Sequence, residues 1–237
     1  MPMMADPDPD VNTVNRDGDS VGDATDSGSA PRRAYRHGDL RNALVEAGLR
    51  LAAAGGPSAV VLREATRQAG VSPNAAYRHF ADREDLLAAV SLRCLAFVAS
   101  EIVRELGAVD RAGDPGARLD AVGRAYVQFA LREPGLFRTA FSVHTDPEAG
   151  RGAEDGGLGP FGLLLQVLDD AVATGAMPAE RRPGAEVAAW SAVHGLAVLL
   201  LDGPLRSVPE AAREALLERT LATVREGLFV AGPHIVP

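Results

Sequence analysis

The sequence predicts an all-α protein, and three observations carry that reading. From Asp39 onward, apolar residues recur at helical spacings of three and four nearly everywhere. No strand-length run of alternating apolar and polar residues interrupts them. The breaks in the pattern fall where Gly, or Asp, Ser or Glu followed by Pro, would stop one helix and start the next.

Residues 1–30 stand apart. They carry seven Asp, one Arg and almost nothing apolar, so burial cannot offset the cost of ordering them, and a disordered acidic tail outside the fold is expected. The first helix has Leu40, Leu44, Ala47, Gly48 and Leu51 on its buried face, with Asp39 as its expected N-cap and a close near Gly55 and Gly56. A short second helix runs from Leu62 to Ala69 and stops at Gly70. Ser72 and Pro73 then supply a cap and a first-turn proline for a third, expected to reach Phe80. Asp82, with Asp85 three residues on, opens a longer helix that turns Leu86, Val90, Phe97, Val98 and Ile102 inward.

Asp114-Pro115 and Glu133-Pro134 start two more helices, the first with Leu119, Val122, Tyr126 and Phe129 on one side. After a Gly- and acid-rich loop from Ser142 to Pro160 comes a helix carrying Phe161, Leu164, Leu165 and Leu168. Two long helices finish the chain, from about Arg182 to Leu201 and Pro209 to Phe229. No internal repeat is present.

Composition narrows the function. The 237 residues are 46% hydrophobic and only 5% aromatic, so Leu, Val and Ala build the core. Cys94 is the single cysteine, which excludes an internal disulfide and a cysteine-based metal centre and fits a reducing cytoplasm. The most apolar run, Ala188 to Leu201, is 14 residues with His194 inside it, too short for a bilayer core of about 30 Å, so no membrane partner is expected. The start of the chain, with Asp6, Asp8 and Asp10, is unlike a signal peptide.

The net charge of −8 conceals a division. Residues 31–93 carry ten Arg against six acids, while residues 1–30 and 94–237 are both acidic; every basic residue in the chain is Arg. Inside that one basic block, Leu62 to Phe80 reads LREATRQAGVSPNAAYRHF: helix, a short turn containing Gly, helix. This is the helix-turn-helix pattern, in which the second helix enters the major groove of DNA. Gly70 stands where a sharp reversal needs positive φ, and Val71 plugs the angle between the helices.

Ala76 and Phe80, four apart, face the core and leave Asn74, Ala75, Tyr77, Arg78 and His79 on or beside the outer face, after Ser72 and Pro73. Asn74 suits an adenine edge, Ala75 a thymine methyl, and Arg63 or Arg78 a guanine, with Tyr77, His79 and Arg83 better placed for phosphates. Arg32, Arg33, Arg36 and His37 precede the first helix as an arm for the backbone or minor groove. The bland alternative is an ordinary three-helix cluster with a polar outer face. Agreement of turn spacing with the charge division speaks against it.

AGVSPNAAYRHFADREDLL resembles the DNA-binding signature of the TetR/AcrR family of transcriptional regulators, over about residues 35–90. The resemblance implies three helices docked on a helical C-terminal domain that dimerises and often binds a small effector, hence a ligand-responsive repressor on palindromic double-stranded DNA. It makes Arg63 a base-contacting position, Tyr77 and His79 backbone contacts, and Arg83 the replacement for the usual phosphate-binding Lys. Val61 stands where the family has a Ser or Thr cap, a loss of about 1 kcal/mol. Ala65-Thr66 and Ala76 depart from the family's larger core residues. YRHGDLRNAL from Tyr35 to Leu44, with Trp190, His194 and Gly195, is similar to the subgroup named for a Trp-His-Gly motif.

The expected organisation is therefore a tail at 1–30, a DNA-binding domain at 31–93 and an effector-binding and dimerisation domain at 94–237. The last two helices would meet a partner copy through Trp190, His194, Leu217, Leu221, Val224 and Leu228, with core helices of a monomer as the lesser alternative. A pocket is expected among Phe97, Tyr126, Phe129, Phe137, Phe141, Leu164 and Leu168, where aromatics at helical spacing also fit plain core.

Other signals fail. Gly157, Gly159 and Gly162 match a dinucleotide-binding spacing without a strand before them. Cys94 reads as a small buried hydrophobe. The five His are scattered without ligand spacing, so no metal and no cofactor are expected. No nucleophile elbow places a Ser, so neither are catalytic residues. The rival class is a helical enzyme or small-molecule-binding protein whose basic block does not serve DNA. A lesser alternative is a constitutive DNA binder that takes its signal from a partner protein.

Overall fold

The computed structural model describes residues 37–110, 114–143 and 158–229, and these are helical throughout, with no strand among them. The acidic tail, Arg32, Arg33, Arg36, most of the loop after Ser142, and Gly157 lie outside the described residues. Nine α-helices follow in order: α1 His37–Gly55, α2 Leu62–Ala69, α3 Pro73–Ala76, α4 Arg83–Ala108, α5 Pro115–Arg132, α6 Pro134–Ala140, α7 Pro160–Ala173, α8 Ala185–Leu201 and α9 Glu210–Leu228. The described residues belong to one compact unit.

Local chemistry sets most of the boundaries. Asp82 Oδ1 accepts from the Asp85 N–H at 2.9 Å while Asp85 Oδ2 accepts from the Ala81 N–H at 3.0 Å, a reciprocal cap at the head of α4. Asp114 Oδ1 caps α5 through the Gly116 N–H at 2.8 Å, with Pro115 in the first turn. Two expectations are corrected. The first helix begins at His37, so Asp39 lies within its first turn and is not its N-cap. The third ends at Ala76, four residues short of Phe80, because Arg78 and His79 turn their N–H groups to carbonyls only three residues back.

Two apolar clusters hold these helices. One gathers Leu44, Ala47 and Ala52 of α1, Leu62 and Ala65 of α2, Ala76, Phe80, and Leu86, Val90 and Cys94 of α4. The other gathers Val98 and Ile102 of α4 with the inner faces of α5, α7, α8 and α9. α4 thus runs unbroken past residue 93 and contributes to both. It is the one described helix long and apolar enough to cross a membrane by length and composition, yet half of that stretch is buried among its neighbours.

α6 bridges the clusters. Its Ala140 packs in the first, its Phe137 in the second, and the Ser91 hydroxyl of α4 donates to the Ala140 carbonyl at 2.9 Å in the buried interior. At its other end Gly135 lies on α1 so closely that a Cβ there would fall 2.3 Å from the Ala52 carbonyl oxygen and 2.7 Å from that of Ala53. Only a residue without a side chain permits that approach.

Candidate functional site

The segment between α2 and α3 is built by a helix stop and a helix start set back to back. Gly70 sits in the left-handed region (φ 68°, ψ 30°) and donates to the Arg67 carbonyl, while the Val71 N–H bonds back to Thr66 at 3.1 Å. These two bonds make a Schellman motif that closes α2. Ser72 follows in an extended conformation, and its hydroxyl accepts from the Ala75 N–H at 3.3 Å to cap α3, with Pro73 in the first turn. At the other end of α2, Val61 is extended and offers no side-chain cap, as its residue type requires.

Ala76 and Phe80 anchor α3 inward and are almost fully buried. Ser72, Pro73, Asn74, Tyr77 and Arg78 are exposed, and Ala75 and His79 half-buried. Tyr77, 59% exposed, is the most exposed large apolar side chain among the described residues. Arg63 is exposed on α2, opposite buried Leu62, Ala65 and Thr66. His37 opens α1. Arg83, expected on phosphate, also turns inward: its Nη2 donates to the Pro57 carbonyl at 2.7 Å and ties the start of α4 to the turn after α1.

A partly open pocket of about 230 Å³ lies within and beside the second cluster. Of the seven residues expected to line it, Tyr126, Phe141 and Leu164 do, while Phe97, Phe129, Phe137 and Leu168 do not. Phe129, Phe137 and Leu168 are buried at 4%, 3% and 0% exposure, where neighbouring side chains leave no void beside them, and Phe97 packs partly buried against both clusters. The wall instead includes Trp190, Val193, Leu221 and Val224, together with Ile102, Leu119, Asp120 and Phe161.

Trp190, His194, Leu217 and Leu221 had been expected to face a partner copy. The structure turns them into their own subunit. Leu217 and Leu221 are 2% and 4% exposed, Val224 and Leu228 pack partly buried on the same core, and Trp190 and His194 bond to α5. The outward apolar side chains of α8 are Val187, Val198 and Leu199. α8 is apolar on nearly all sides, so its sequence does not show which side faces in. Asp120, next to buried Leu119 and Ala121 on α5, was the one available signal of a polar group in the cavity wall.

The polar lining is mostly closed upon itself. Trp190 Nε1 donates to the Tyr126 hydroxyl at 3.1 Å, and that hydroxyl shares a second hydrogen bond of 2.8 Å with His194 Nδ1. Burial lowers the His194 pKa below 6.5 and so favours its neutral form. The rings of Phe137, Phe141 and Trp190 surround it at centroid distances of 5.8, 5.2 and 6.0 Å. Burial likewise raises the Tyr126 hydroxyl and pushes the Cys94 thiol up to about 12, leaving it no thiolate to react with.

Comparison with known proteins places the fold and the family. Residues 44–90 match the family described as bacterial regulatory proteins of the tetR family, and residues 119–224 match the tetracyclin repressor-like C-terminal domain. Among solved structures, a protein of unknown function from Rhodococcus sp. RHA1 is 26% identical with a TM-score of 0.67, covering 84% of this chain and 100% of that one. A TetR family transcription regulator from Marinobacter aquaeolei VT8 is 21% identical with a TM-score of 0.58, covering 81% and 96%. A TetR-family transcriptional regulator from Pectobacterium atrosepticum is also 21% identical, with a TM-score of 0.59, covering 82% and 96%. No curated protein matches the chain.

A helix-turn-helix unit fused to a helical domain defines a DNA-binding transcriptional regulator. The chain belongs to the TetR family. The C-terminal match alone does not assign the Trp-His-Gly subgroup.

Proposed function

We propose that the protein is a ligand-responsive repressor that binds a palindromic operator as a homodimer in the cytoplasm and performs no catalytic step. The observation that carries this reading is the joining of two features by shared helices. An outward, arginine-bearing helix-turn-helix lies at one end of α4, and a partly open, largely apolar pocket is lined by Leu92, Leu95 and Ile102 further along the same helix. In this reading residues 31–93 bind DNA and residues 94–237 bind effector and partner. Asn74, Ala75, Arg63 and Arg78 read base edges, and Ser72, Pro73, Tyr77 and His79 hold the backbone, joined by Arg33, Arg36 and His37 as an arm.

Coupling is mechanical. Phe141 caps α6 and lines the cavity, while Gly135 at the other end of α6 is wedged on the α1 backbone. A ligand that displaces Phe141 therefore bears on the DNA-binding helices and alters the spacing of the two α3 elements in a dimer. An effector lowers operator affinity only by its differential affinity for the two spacings.

The partner surface in this proposal is the outer side of α8 and α9, where Val187, Val198 and Leu199 stand exposed beside Ala188 and Ser191. The test is a compound screen with two readouts on the same protein. A compound that raises the melting temperature and releases operator DNA supports the proposal. Binding in the cavity that leaves operator affinity unchanged for every such compound contradicts it.

A further inference from the structure

The pocket is lined from α4, α5, α7, α8 and α9, and among the described residues only three of its side chains are polar: Asp120, Tyr126 and Trp190. All three are already engaged. Asp120 turns its carboxylate away from any guest, since Oδ2 accepts from Arg225 Nη1 on α9 and Oδ1 is buried out of reach of solvent. Trp190 Nε1 has one N–H and gives it to the Tyr126 hydroxyl at 3.1 Å, while that hydroxyl is also bonded to His194 Nδ1 at 2.8 Å.

No cation lines the pocket among the described residues. A ligand carboxylate would therefore meet no positive side chain, and a ligand ammonium no unengaged carboxylate. Moving either charge from water into an apolar wall without a partner is strongly unfavourable. An apolar surface meets no such penalty, and its burial is the one attraction this wall supplies throughout. In a chain only 5% aromatic, the large rings of Tyr126, Phe141, Phe161 and Trp190 all stand in that wall, with the Trp190 centroid 5.4 Å from Phe161 and 6.3 Å from Phe141.

Volume sets the size. An apolar void of about 150 Å³ admits benzene, so about 230 Å³ holds a ring together with a short side chain. Resting on the reading of this pocket as an effector site, we infer that its effector is a compact, uncharged, largely apolar molecule of about that size, selected by shape and burial and not by a charged head group.

Trp190, the single tryptophan of the chain, reports occupancy by its fluorescence. The full-length protein is titrated at neutral pH with benzene, propylbenzene, phenethylamine, hydrocinnamate and octanoate, and the affinities are checked by calorimetry. Propylbenzene is expected to bind about tenfold or more tighter than each of the three charged probes, which are of similar size, and tighter than benzene, which leaves part of the volume empty. Ala189, 4% exposed, lies in the wall. Ala189→Leu fills part of the space and is expected to weaken propylbenzene more than benzene, with a melting curve to establish that the variant is folded.

A charged probe, or benzene, binding as tightly as propylbenzene to the wild-type protein overturns the inference while leaving the pocket an effector site, and this comparison needs no variant. Undiminished propylbenzene affinity in a folded Ala189→Leu protein also overturns it, because the ligand then sits elsewhere. Failure of all five probes to change Trp190 fluorescence or release heat contradicts the effector site itself, and the inference with it.

Discussion

The Tyr126 hydroxyl stands between Trp190 Nε1 at 3.1 Å and His194 Nδ1 at 2.8 Å, so one oxygen satisfies two buried nitrogens. Tyr126→Phe removes it and leaves both without a partner, and the expected loss is about 1–3 kcal/mol in urea unfolding. His194 adds a pH dependence. Burial holds its folded pKa below 6.5, so the unfolded chain takes up a proton first as pH falls. Stability is complete above about pH 6.5 and declines as pH drops from there through the folded value. Melting temperatures at pH 7.5 and pH 5 should therefore differ more for the wild-type protein than for His194→Gln. At this scale the sequence was partly legible: aromatic residues near Tyr126 were expected together, but which of them bound the void and which filled the core depends on rotations of a few tens of degrees about helix axes. Asp120 escaped notice because an Asp in a buried stripe looks like an irregularity until its partner on α9 is known.

Elements were more legible than side-chain roles, because caps and stops are written in neighbouring residues. Gly70, Ser72, Pro73, Asp82 and Asp114 each stop or start a helix through contacts within five residues. The end of α3 was not written that way. No Gly or Pro follows Ala76, and the chain leaves the α-helix there through bonds to carbonyls three residues back, which bring Phe80 into the core ahead of the Asp82 cap. α6 is the element whose fit is tightest. Gly135→Ala would drive a methyl against the Ala52 and Ala53 carbonyls, backbone that cannot swing aside. The expected cost is about 1–3 kcal/mol, and operator affinity should shift with it, since α6 would have to lift off α1. Thermal melts and DNA titration of the same variant check both.

Across the whole molecule, the sequence distinguished a basic DNA-reading block from an acidic helical remainder, and missed which side of the last two helices faces inward. Both sides of α8 are apolar, so burial within the subunit and burial against a partner leave the same pattern in the sequence. The structure buries Leu217 and Leu221 within the subunit and leaves Leu199, 42% exposed, on the proposed partner surface. Leu199→Glu is expected to shift the protein to monomer in sedimentation while its melting curve at low concentration changes little, since that side chain contributes little to the subunit's own core. α2 and α3 are proposed to read DNA. The most direct test is binding to duplex from the region flanking the protein's own gene, over a series of salt concentrations, beside Arg63→Ala and Tyr77→Ala. Affinity should fall steeply with salt, favour one palindrome over random duplex, and weaken in both variants. Equal binding by the variants, or no binding to any duplex at low salt, would contradict the account.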